Sequence, residues 1–168
     1  MEAKLAVTLQ TKKLAMSNIL SETSEKLLQT INQAKERFVN IPLELWDAKP
    51  AANVWSKKEI LGHLLDSAAN NHLRFVRGQQ ADSTFVTHGY DQDFFVNSQR
   101  YQDTPAAELI ELWYAYNRQL AQVIKHVNPN KLKVMCVIGT HEPMTLSFVI
   151  TDYVMHMQHH LEDIFKTN

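Results

Sequence analysis

The sequence predicts an all-α fold, a four-helix bundle. Three observations carry this. Glycine is scarce, at 4 in 168 residues. Four long segments repeat their apolar residues at the 3.6-residue helical period. The segments are bounded by helix start and stop signals rather than by hairpin turns. One domain accommodates a chain of this length with a sizeable core.

The first helix is expected over Ser21–Asn40, where Leu27, Leu28, Ile31, Ala34 and Phe38 recur at helical spacing and Pro42 follows. Residues 1–20 form an N-terminal extension that could add helix, and 21–168 form the bundle domain. The second helix starts in "WSKKEILGHLLD", where Ser56 and Glu59 make an S-x-x-E capping box, and runs to about Gly78. The third begins at "TPAAELIELW", with Thr104 as N-cap and Pro105 at the first helical position. Leu109, Trp113, Tyr116, Leu120, Val123 and Val127 form its stripe. The fourth runs from near Thr145 to about Lys166. A long connection, residues 79–103, joins the second and third helices, with room for a short helix at "DQDFFVNS". The β-prone "KLKVMCVIGTHEPM" reads as a short hairpin turning at Gly139–Pro143.

Bulk properties exclude several functions. A hydrophobic fraction of 45% is incompatible with a disordered chain. A formal net charge of -1, with no Lys/Arg run, gives no footprint for nucleic acid. No stretch approaches the length of apolar sequence that crosses a bilayer. The apolar run before Gln10 is too short for a signal-peptide core. A cytoplasmic protein is expected, consistent with a single cysteine. Cys136 cannot form a disulfide or CxxC zinc site within one chain, and it reads as a small buried hydrophobe.

The chemistry lies in the histidines. On the fourth helix Leu146, Ile150, Tyr153, Val154, Met157, Leu161 and Ile164 share one apolar arc. His160 falls inside it, His156 at its edge, and His159 on the polar side. His156 and His160 thus form an i, i+4 pair whose rings can reach one divalent ion. About 0.3 such pairs arise by chance in a chain with eight histidines, so the pair alone leaves a surface pair or a core pair open. A third ligand must come from elsewhere. His63 is the best candidate, on a boundary stripe of the second helix with Ser67, Asn70 and Arg74. His72 reads as a core residue. His88, His126 and His141 read as solvent-facing, with His141 a spare ligand. Asp152 and Asp66 each read either as a carboxylate orienting a neighbouring imidazole or as an exposed helix residue. His63 lies near the start of its helix, and the pair lies near the end of its own. They meet if the second and fourth helices are antiparallel, which the long connection permits in an up-down-down-up order. Met157 stands where an H-E-x-x-H protease has its glutamate, which argues against that chemistry.

"VWSKKEILGHLLDSAANNHLRF" and the H-x-x-H-H of "HMQHHLEDI" resemble the two signatures of the DinB/YfiT-like family. The resemblance covers about residues 21–166. It implies an up-down-down-up four-helix bundle with His63, His156 and His160 holding zinc or nickel. It further implies a small-molecule substrate and a homodimer. The family includes S-transferases that use bacillithiol or mycothiol, and proteins described as metal-dependent hydrolases. Three functions follow as expectations. They are a thiol S-transferase acting on a small electrophile, a metal-dependent hydrolase, and a non-enzymatic metal-binding stress protein. Asp163 stands where the family often has Gln.

Overall fold

The computed structural model describes residues 2–166, with side chains from Leu14 onward. In chain order the elements are α1 (Glu2–Phe38), a short α2 (Leu43–Asp47), α3 (Lys57–Gly78), β1 (Thr84–Thr87) and α4 (Gln92–Gln99). They continue with α5 (Ala106–Lys125), β2 (Met135–Ile138), β3 (Met144–Thr145) and α6 (Leu146–Phe165). Single 3-10 turns lie at Tyr101–Asp103 and Pro129–Lys131. The four long helices, α1, α3, α5 and α6, make the bundle.

Helix α1 starts well before the expected Ser21. No glycine or proline occurs between Met1 and Ile41, so nothing interrupts the helix at residue 20, and residues 2–20 belong to the same helix. The capping box at α3 is present in full. Ser56 Oγ accepts from the Glu59 amide at 3.1 Å, and Glu59 Oε2 accepts from the Ser56 amide at 2.8 Å. Helix α5 begins one residue later than expected. Thr104 does not cap it, because Pro105 is extended (ψ 133) and the first helical residue is Ala106. Thr145 caps α6 by accepting from the Phe148 amide. The expected short helix is α4, capped by Asp91.

The fold is mostly helical rather than all-α. The expected hairpin exists, β2 pairing antiparallel with β3, but β1 joins it to make a three-stranded sheet. Strand β1 pairs in parallel with β2, Thr84 opposite Met135 and Thr87 opposite Ile138. Gly139 turns the chain after β2 at φ 58, and its Cα packs against the Gly89 backbone, where a side chain would be crowded.

Side-chain contacts fix the relative directions of the helices. Lys57, at the start of α3, donates to the carbonyls of Ile164 (2.6 Å) and Lys166 (2.8 Å) at the end of α6. Gly78, at the end of α3, lies against Leu146 at the start of α6. These two helices are therefore antiparallel. Ser24 and Lys35 of α1 bond to Ala121 and Glu111 of α5, so α1 and α5 are antiparallel as well. The core between them is apolar. Its densest part is aromatic, with Phe38 packed on Trp46, Trp113 and Phe165 at centroid distances of 5.3–5.5 Å. Among the described residues no helix is long and apolar enough to cross a membrane.

Candidate metal centre

His63 occupies the second turn of α3. The capping box fixes where that helix starts, and the two Lys57 bonds hold its first turn against the last turn of α6. Those constraints bring His63 level with His156 and His160. One ligand-type atom from each of the three lies within 4.8 Å of the other two. His63 Nε2 is 3.5 Å from His156 Nε2. The ring centroids are 5.3 Å (63–156), 4.7 Å (63–160) and 4.6 Å (156–160) apart.

Burial sets the charge of the cluster. His63 is fully buried, and its pKa is lowered to about 3 by desolvation and then by the neighbouring His160 and His156. His160 is lowered to about 4, again first by burial and then by His156 and His159, with Asp163 opposing. His156 is lowered by burial, with Asp152 opposing. All three are therefore neutral at pH 7, the form in which imidazole donates to a metal.

The donor set fits a divalent ion. Three nitrogens around a tetrahedral ion at about 2.0–2.1 Å stand roughly 3.4 Å apart. The His63–His156 nitrogen pair, at 3.5 Å, is near that spacing, and one donor atom from each of the three lies within 4.8 Å of the others. His63 Nδ1 is buried with no hydrogen-bond partner among the described residues. Trp55 stacks on the same ring, with centroids 5.1 Å apart and planes tilted by 36°. The orientation of the ring is thus set by packing.

The remaining histidines stand apart. His159 is 70% exposed and points to Asp163, its Nε2 3.8 Å from the carboxylate. His72 is half-buried rather than in the core, with Nδ1 3.1 Å from the Tyr116 hydroxyl. His88 and His126 are exposed. His141 is exposed on the rim of a cleft shared with His156, outside the three-histidine group. Cys136 is fully buried, and burial pushes its thiol pKa up.

The two carboxylates differ. Asp66 is buried, not exposed. Its Oδ1 accepts from the Tyr101 hydroxyl at 2.8 Å and from the Gln99 amide, and its Oδ2 has no partner among the described residues. Burial raises its pKa. Asp152 is exposed and lines the cleft beside His156. Sequence reasoning missed Trp55. Its signal was present: an aromatic residue immediately before an N-cap is where a staple against the fourth helical position sits, and Ile60 follows at the right distance.

Two clefts flank the cluster. One, of about 390 Å³, reaches His156 and is walled by α3, α6 and the small sheet. The other, of about 410 Å³, reaches His160 between Trp55, Ile60, Asp163 and Lys166.

The DinB superfamily pattern matches residues 26–164. The chain belongs to the DinB superfamily. A solved structure of similar fold is YfiT from Bacillus subtilis, described as a probable metal-dependent hydrolase with an unusual four-helix bundle topology. The two share 20% identity at a TM-score of 0.68, over 90% of this chain and 83% of YfiT. Comparison with curated proteins returned no match.

Proposed function

We propose that this DinB-superfamily chain is a metal-dependent enzyme that transfers the sulfur of a low-molecular-weight thiol, of bacillithiol type, to a small electrophile. The observation that carries the reading is the set of three neutral imidazoles, His63, His156 and His160, converging beside open clefts. These residues would hold zinc or nickel. A divalent ion there supplies Lewis acidity that lowers the pKa of a thiol taken at its free position.

The protein's own contribution is positional. Burial keeps the imidazoles unprotonated and free to donate. Trp55 fixes the His63 ring from one side. The cleft walls confine the two reactants and orient them toward each other. Sulfur attacks the electrophilic carbon as the leaving group departs with its bonding electrons, and the thiol proton passes to water. The pairwise helix directions support an up-down-down-up bundle order, and that order is part of the proposal. So are a homodimer and a cytoplasmic setting.

The test is direct. The metal-loaded protein is incubated with candidate thiols and a haloalkane or epoxide, and thioether formation is followed. Acceleration that is lost in His63→Ala supports the reading, and no acceleration with any thiol sinks it. A second reading, hydrolysis, is favoured by the description of YfiT. Turnover of an ester or amide with no thiol present would select it. The clefts beside His156 and His160 weigh against a sealed, non-enzymatic metal-binding stress protein.

A further inference from the structure

The cleft beside His156 holds a cation that the three-histidine cluster does not use. Arg74 lies on α3, eleven residues after His63 on the stripe that also carries Ser67 and Asn70. Its guanidinium is half-buried and lines the cleft together with Asn71, Tyr90, His141, Asp152 and His156. It forms no ion pair among the described residues. Its hydrogen bond there is a single one, to Asn71 Oδ1 at 3.3 Å.

An arginine presents five donors in a planar fork and stays charged at any physiological pH. Taking that charge out of water without a carboxylate beside it is unfavourable. Burial does act on Arg74, disfavouring its charged form. A structural arginine would be paired. Arg74 instead keeps most of its donors uncommitted on the wall of a concave site. Lys166, in the other cleft, is the contrast. It is 67% exposed and already paired with Asp163.

The surroundings suit an anion. Burial and the Arg74 charge act in opposite senses on the Tyr90 phenol, and burial prevails, pushing its pKa up to about 12. Tyr90 is therefore a neutral hydroxyl beside the guanidinium. Asp152, the one carboxylate on the cleft, sits a turn from His156, and its charge acts on that imidazole. Asp152 makes no ion pair with Arg74, so the guanidinium keeps its charge available to an anion in the cleft.

The geometry points to Arg74 as the anchor for a carboxylate carried by the reacting small molecule, which lies along the cleft with its reactive end at the three histidines. This inference rests on the proposed reaction for the identity of that reactive end, but the anion subsite does not require it. Eleven residues of helix rise about 16 Å, and the arginine side chain angles back toward the helix N-terminus and shortens the gap. A ligand with several carbons between thiol and carboxylate fits that span better than a compact one.

The experiment uses four probes on the full-length, metal-loaded protein: mercaptohexanoate, mercaptohexanamide, hexanoate and hexanamide. Binding is measured by calorimetry for the parent, Arg74→Gln and Arg74→Lys. The expected result is that each acid binds about tenfold more tightly than its amide, the scale of one hydrogen-bonded charge. Arg74→Gln should bring the acids down to the amides and leave amide affinity unchanged. Arg74→Lys should keep part of the preference. Acid and amide binding equally to the parent, or neither binding, would overturn the subsite. So would an acid preference that survives Arg74→Gln, since the carboxylate would then be meeting the metal. If hexanoate shows the Arg74-dependent preference but the thiol adds nothing, the subsite stands and the S-transferase reading falls.

Discussion

Acidification of the metal-free protein should destabilise it, and the three-histidine cluster should account for much of the loss. The ordinary histidine pKa is 6.5, while folded His63 and His160 sit at about 3 and about 4. The folded state therefore binds fewer protons than the unfolded state between those values. Stability is intact above about pH 6.5 and falls as pH drops toward the folded pKa values. At pH 5 the unfolded imidazoles are about 1.5 units below their pKa, and each unit is worth about 1.36 kcal/mol. Each buried histidine then costs about 2 kcal/mol, and the pair roughly 4 kcal/mol. That is a large share of a typical domain's 5–15 kcal/mol. The assay is urea unfolding followed by circular dichroism, with chelator present, at pH 7.5 and pH 5. The parent is compared with His63→Gln. Carboxylates such as Asp66 titrate in both proteins, so the difference between the two losses isolates His63. The variant should lose about 2 kcal/mol less than the parent. Equal losses in parent and variant would refute the reasoning, because His63 would then not be held neutral by burial.

The same cluster should set metal content. Purified without a tag, His63→Ala, His156→Ala and His160→Ala should each lose bound metal by elemental analysis, while His159→Ala keeps it. Equal metal in all four would sink the assignment. Gly62→Ala should cost about 1–3 kcal/mol in urea unfolding, because a Cβ there would overlap the Tyr101 ring that bonds Asp66. A neutral effect would mean that Tyr101 yields freely. Ser56→Ala removes the cap acceptor for Glu59 and should cost about 1 kcal/mol, read as a fall in Tm of roughly 2–4 °C. No change would show that the Lys57 bonds to α6 hold the start of α3 unaided.

What could be read from the sequence divides by range. Helical period and caps are local, so the Ser56–Glu59 capping box, the start of α6 near Thr145 and the stripe on α6 were legible, and with them the direction of each histidine. Direction is an angle about one helix axis, however, and does not say what covers that side. His63 was therefore read as a boundary residue, yet it is fully buried. Trp55 stacks over it, and Lys57 pins the neighbouring helix end beside it. The pairing of His63 with His156 and His160, which no single helix encodes, came from its stripe and from the antiparallel order that the long connection permits, and the DinB-type motifs imply the same three residues. Strand β1 was missed because four residues are too few for a period. Its partner, β2, begins fifty-one residues later, and a parallel pairing leaves no turn signal to mark it. That miss matters for function more than for fold. Ile138 at the end of β2, Tyr90 just after β1, and His141 in the β2–β3 turn all line the cleft opposite α3 and α6. Arg74 was visible as one polar residue on a stripe. It becomes a candidate anion anchor only when the non-local sheet folds over it and encloses the site.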